Sequence, residues 1–159
     1  MKPVKPEWHN EDQVETKFRR WLENHGWHVQ LRPGMTGSDI CATDSRGISW
    51  VFEVKGYPGT FQKRDGANKS RNIIVSQRRT WLIEGLGQIV SRMTKENVRY
   101  ALVFPDHPTD KYFETKTLGM PHFLRSKLSL WIYLVGSEMR VRILAPESDQ
   151  FTEWSNDPA

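Results

Sequence analysis

Ser49-Trp50-Val51-Phe52-Glu53-Val54-Lys55-Gly56 reads as a strand, rich in β-branched and aromatic residues, with Trp50, Phe52 and Val54 alternating toward one face. Glu53 and Lys55 interrupt it two residues apart and therefore share a face. Just upstream, Ser45-Arg46-Gly47 makes a three-residue hairpin loop with glycine in the left-handed position. If Asp44 pairs with Ile48, counting back sets Asp39 directly opposite Glu53, on the face that carries Lys55. A loop of two or four residues would offset these groups.

Working outward from the hairpin, residues 38–43 form its first strand and residues 27–31 an earlier one, closed by Pro33-Gly34. Before these, Asn10 is an N-cap with Gln13 three residues on, and Val14, Phe18, Trp21, Leu22 and His25 follow helical spacing to a stop at Gly26. After Lys55 comes a glycine-rich basic loop, residues 56–72, of a length that usually signals function or disorder. A helix is predicted over 76–93, with Leu82, Leu86, Ile89, Val90 and Met93 as its buried stripe. Within it, Gly85 and Gly87 each cost roughly 1 kcal/mol against alanine, unless they permit close packing on the sheet. Residues 98–104 are a strand ended by Pro105-Asp106-His107-Pro108. A helical region in two pieces around Pro121 follows. Residues 130–135 and 140–144 form a closing hairpin around Gly136-Ser137-Glu138.

Alternating helices and strands in 159 residues with 37% hydrophobic content predict one mixed α/β (α+β) domain over 11–145. An N-terminal arm, 1–10, precedes it, and a loose acidic tail, 146–159, follows. Cys41 is the single cysteine, which excludes an internal disulfide. The start, MKPVKPEWHN, lacks the apolar run of a signal peptide and no segment reaches membrane-spanning length, so a soluble cytoplasmic protein is expected. The five histidines show no zinc-ligand spacing.

Lys and Arg total 23 against 19 Asp and Glu, a modest excess that is unevenly spread. Between Gln62 and Arg79 lie Lys63, Arg64, Lys69, Arg71, Arg78 and Arg79, with Asp65 the only acid. Such a segment is either a solvated loop or a polyanion contact, usually to nucleic acid. Tyr57 and Phe61 among these bases either stack on an unpaired base or pack back on the sheet edge. Trp81 is a further candidate for a partner or homodimer surface.

Two carboxylates facing each other across a hairpin repel, and a divalent cation between Asp39 and Glu53 would remove that cost. Hard oxygen ligands suit Mg²⁺, with Mn²⁺ able to substitute. Lys55 beside them would orient or deprotonate a water for attack on a phosphodiester. The competing reading of Glu53 and Lys55 is an ordinary salt bridge on a wet face. Glu15 likewise reads either as a further acid for the site or as an i,i+4 partner of Arg19.

The order of helix with Glu15, strand, strand with Gly37-Ser38-Asp39, strand with Glu53-Val54-Lys55, then helix, resembles the PD-(D/E)XK nuclease superfamily over roughly residues 11–104. In size and layout the chain is similar to small stand-alone members such as Holliday-junction resolvases. The resemblance implies a restriction-endonuclease-like core: helix, three-stranded antiparallel meander, helix and strand. It also implies metal binding by Asp39, Glu53, the Val54 carbonyl and Glu15, and catalysis by Lys55. Gln88 resembles a glutamine that some branches place near the active site; otherwise it is an exposed helix residue. Ser38 stands where the motif has proline, and Arg92 stands where recombination-type nucleases have tyrosine. The implied activity is Mg²⁺-dependent DNA endonuclease, leaving 5′-phosphate and 3′-hydroxyl ends. The alternatives are an inactive DNA-binding module of the same fold, and an RNA- or protein-interaction domain.

Overall fold

The computed structural model describes residues 9–30, 39–59 and 71–154. Helix α1 (Glu11–Asn24) starts where the Asn10 side chain accepts from the Gln13 backbone N–H at 2.9 Å, with Gln13 reaching back in a capping box. Its buried residues, Val14, Phe18, Trp21 and Leu22, are the predicted stripe. Gly26 follows its end at φ 77°.

Strands β1 (His28–Val29), β2 (Asp39–Thr43) and β3 (Ser49–Val54) pair antiparallel in that order. The hairpin has the predicted register: Asp44 N–H donates to the Ile48 carbonyl at 3.0 Å, and Asp39 stands opposite Glu53. Gly47 takes φ 82°. Asp44 locks the loop by accepting from the Arg46 and Ile48 backbone N–H groups, 3.0 Å each, and from Trp50 Nε1 at 3.2 Å. Burial works against its charge, but these hydrogen bonds together hold its carboxyl below the ordinary range.

Helix α2 (Arg71–Ser91) crosses from β3 to the parallel strand β4 (Val98–Pro105). Helices α3 (Tyr112–Leu118) and α4 (His122–Leu128) cross from β4 to β5 (Leu130–Val135), also parallel. Strands β6 (Val141–Leu144) and β7 (Thr152–Glu153) complete a seven-stranded mixed sheet in sequential order. Its central strands are covered on both faces. Trp50, Phe52, Val54, Ala101, Val103 and Tyr133 pack with α1, whereas Leu102, Phe104, Ile132 and Leu134 form a second core with Ile89 of α2 and Phe113 of α3. Residues 100–105 are accordingly all buried. No described helix is long and apolar enough to cross a membrane.

Three expectations are corrected. Helix α2 begins five residues earlier than the predicted position 76: it takes Arg71 and Asn72 from the expected loop and carries the β-branched run Ile73-Ile74-Val75, of which Ile74 packs against the core. Val90 is 42% exposed; Leu82, Leu86, Ile89 and Met93 already complete a stripe, and Val90 lies about 100° around the helix from Ile89. The tail is not loose up to residue 154. Thr152–Glu153 pair with β6, and Trp154 meets Trp21 edge-on at 5.0 Å. The buried Arg125 guanidinium donates to the carbonyls of Ala145 (3.0 Å) and Ser148 (2.8 Å), which fixes the segment after β6. These partners are distant in sequence and leave no periodic signature.

Gly87 is exposed inside α2, and an added Cβ there meets nothing within 4 Å. Gly87→Ala is therefore expected to stabilise the fold by about 0.5–1 kcal/mol through helix propensity alone. Urea unfolding measures it, and an unchanged or lower midpoint would contradict the open position.

Candidate functional site

The hairpin and the parallel strand pair bring the charged residues of β3 to the carboxyl end of the sheet. Lys55 continues past β3 with its N–H bonded to the Val103 carbonyl at 2.9 Å. Opposite in register to Trp50, Phe52 and Val54, the Glu53 side chain lies on the α2 side of the sheet. It is 2% exposed, and Lys55 Nζ is 2.9 Å from its Oε1. Arg92, one residue past α2, pairs with the other oxygen, Oε2. The reading of Glu53 and Lys55 as a wet-face salt bridge is thus set aside: the pair is buried, and both carboxylate oxygens face a cation.

Two glycines make room for this arrangement. A Cβ on Gly85 would come 3.2 Å from Lys55 Cγ and 3.5 Å from Leu102 Cδ2, so the bare backbone there lets α2 close over the lysine stem without crowding it. Gly85 thus has the packing reason that its helix penalty calls for. A Cβ on Gly56 would lie 2.2 Å from the Glu11 backbone N and 2.6 Å from the Asn10 backbone C. The chain leaving Lys55 therefore passes directly against the N-terminus of α1.

That contact brings a residue the sequence reading passed over. Burial raises the Glu11 carboxyl above the ordinary value of 4.5; Lys55 opposes the shift, while Glu53, Asp12 and Glu15 add to it. Glu11 thus shares the electrostatic field of the buried pair. Glu15, one turn further on, is occupied by Arg19 at 2.8 Å, the ordinary helix pair. The signal for Glu11 was available in its place at the first turn of α1 and in the glycine after Lys55, but joining them requires the tertiary contact. Arg92 carried no signal of its own.

The remaining candidates fall in different places. For Asp39 the observation is its register opposite Glu53. Val54 packs its side chain into the α1-side core. Gln88 is exposed, one turn before Arg92 on α2. Lys63, Arg64, Lys69 and Phe61 lie outside the described residues, and Arg71 is seen as the first residue of α2. Arg79 is exposed. Tyr57 packs back, 8% exposed, with its hydroxyl donating to Asp110 Oδ2 at 2.5 Å and its ring 4.3 Å from that of His107. Burial and Asp110 push the phenol up to about 12. Arg78 pairs with the same Asp110 and lies over the Tyr112 ring at 4.3 Å. Of the two readings of Tyr57, packing back on the fold is the one seen here, and Arg78 is engaged by the same Asp110. Trp81 is partly buried.

Among the described residues, no group of three or more His, Cys, Asp and Glu side chains is gathered as metal ligands. No protein-family model matches the chain, and no match was found among curated proteins or solved structures.

Proposed function

We propose that this chain is a metal-dependent nuclease of the PD-(D/E)XK type, cleaving DNA phosphodiester bonds at the Glu53–Lys55 site. One observation carries the reading: Asp39 stands opposite Glu53 in the hairpin, and a buried Lys55 ammonium lies 2.9 Å from the Glu53 carboxylate. The helix–strand–strand–strand–helix–strand order, with β1 to β3 antiparallel and β4 parallel to β3, supports a restriction-endonuclease-like core.

The donor set suits a hard divalent cation. Glu53, Asp39 and the Val54 carbonyl offer oxygen donors, and of the two α1 acids Glu11 has the stronger claim to assist, since Glu15 is engaged by Arg19. When bound, Mg²⁺ or Mn²⁺ would polarise the phosphate and acidify a water. The Lys55 ammonium, held by its bond to Glu53, would orient that water and donate to the phosphate or the attacking oxygen; only after giving up a proton of its own could the amine take one from the water. The basic segment after Lys55 neutralises backbone phosphates, which makes binding salt-dependent.

A second reading has a specific observation in its favour. The Glu53 carboxylate is already compensated by Lys55 and Arg92, as it would be in a DNA-binding module that no longer cleaves. Incubating linear, supercoiled and branched DNA with Mg²⁺, Mn²⁺ or EDTA separates the two. Cleavage that needs metal and falls at least about a hundredfold in Asp39→Asn is the expected outcome. Binding without cleavage in every metal would replace the nuclease with the inactive module.

A further inference from the structure

We infer that Arg92 is an exchangeable counter-ion, which holds Glu53 in the metal-free protein and gives way when a divalent cation binds; the inference rests on the nuclease reading above. The two cations on Glu53 are not equivalent. Lys55 has a side chain only 9% exposed, its stem lies beneath Gly85, and its backbone is tied to β4. It cannot leave without disturbing the sheet and α2. Arg92 sits in the turn that ends α2, its N–H bonded to the Ile89 carbonyl at 3.1 Å, and its side chain is 29% exposed. Its side chain, unlike that of Lys55, reaches solvent.

Electrostatics gives the direction of the exchange. With Lys55 retained on Oε1, Arg92 occupies the other Glu53 oxygen, Oε2, which a divalent cation would need, and two fixed cations beside the metal would oppose its binding in a poorly solvated place. Arg92, the cation with a route to water, is the one to go. Competition with Arg92 therefore weakens metal binding, and the pair stabilises the metal-free fold by placing a cation on Oε2 of a buried carboxylate. Once released, the guanidinium stays tethered beside the site as a fork-shaped donor suited to a phosphate oxygen pair.

Mn²⁺ binding to the DNA-free protein, followed by calorimetry, tests this in wild type, Arg92→Ala, Arg92→Lys and Glu53→Gln, with a thermal melt of each with and without Mn²⁺. The expected result is Mn²⁺ affinity at least tenfold tighter in Arg92→Ala. Its metal-free melting point should be lower, and Mn²⁺ should raise it by more than it raises that of wild type. Arg92→Lys, which keeps the charge but loses the fork, should fall between, so the test stands even if the alanine variant folds poorly. Affinity unchanged or weaker in both Arg92 variants, yet abolished in Glu53→Gln, would overturn the exchange and leave the nuclease reading intact. Binding indifferent to Glu53→Gln, or none by any of the proteins, would overturn both.

Discussion

Lys55→Met is expected to cut DNA cleavage in Mg²⁺ by about 10²–10⁴-fold, the range spanned by a lost general acid–base group. Methionine is the informative replacement because it keeps the unbranched stem that fills the space beneath Gly85. It removes only the ammonium, 2.9 Å from Glu53 Oε1. Since Arg92 remains on Oε2, the carboxylate is not left without a cation, and the loss of stability should stay below the roughly 3–5 kcal/mol of a fully broken buried pair. DNA affinity should change little, because this lysine is buried and faces Glu53 rather than solvent. Lys55→Arg should not rescue cleavage, as a planar guanidinium spreads its donors differently from a compact ammonium and cannot be deprotonated. Single-turnover cleavage with protein in excess, set beside the thermal melt, separates chemistry from folding. Cleavage within tenfold of wild type would make Lys55 a structural counter-ion of Glu53.

The part of this site that could be read from sequence is the part built by local rules. Ser45-Arg46-Gly47 fixed a loop length, the loop length fixed a register, and the register set Asp39 opposite Glu53, as the strand pairing has it. The alternation of Trp50, Phe52 and Val54 assigned the buried face in the same way. What escaped were partners joined across the chain. Arg92 meets Glu53 over 39 residues, and Tyr57 meets Asp110 over 53. No periodicity links such positions, because their meeting depends on how α2 and the loop after β4 lie on the sheet. Tyr57 shows the consequence: an aromatic among bases is read either as a nucleic-acid contact or as packed back, and the partners that accompany the second, Asp110 and His107, lie far along the chain. Glu15 and Glu11 differ by one helical turn, and only the approach of Gly56 to the start of α1 distinguishes them.

Gly56→Ala tests that approach and should be the most destabilising single methyl in the molecule's candidate site. The new Cβ would lie 2.2 Å from the Glu11 N, 2.6 Å from the Asn10 C and 2.8 Å from the Glu11 Cα. All three are backbone atoms, so no side-chain rotation can relieve the overlap. Either β3's end lifts from β4, against the Lys55 N–H to Val103 bond, or the first turn of α1 shifts and the Asn10–Gln13 capping box is broken. Overpacking and a lost cap together project a loss of roughly 2–4 kcal/mol in urea unfolding. The sheet is held by extensive pairing on both sides of β3, so α1 should yield first. Glu11 would then move away from Glu53 and from the cover that desolvates it, and its carboxyl should fall back toward 4.5 from its raised value. An NMR titration of Glu11 in a folded fraction of the variant reads this directly. If stability drops but Glu11 still titrates high, β3 has yielded instead, and cleavage should fail through displacement of Lys55. Wild-type stability would mean that the chain after Lys55 does not pass against α1, and Glu11 would lose its claim on the site.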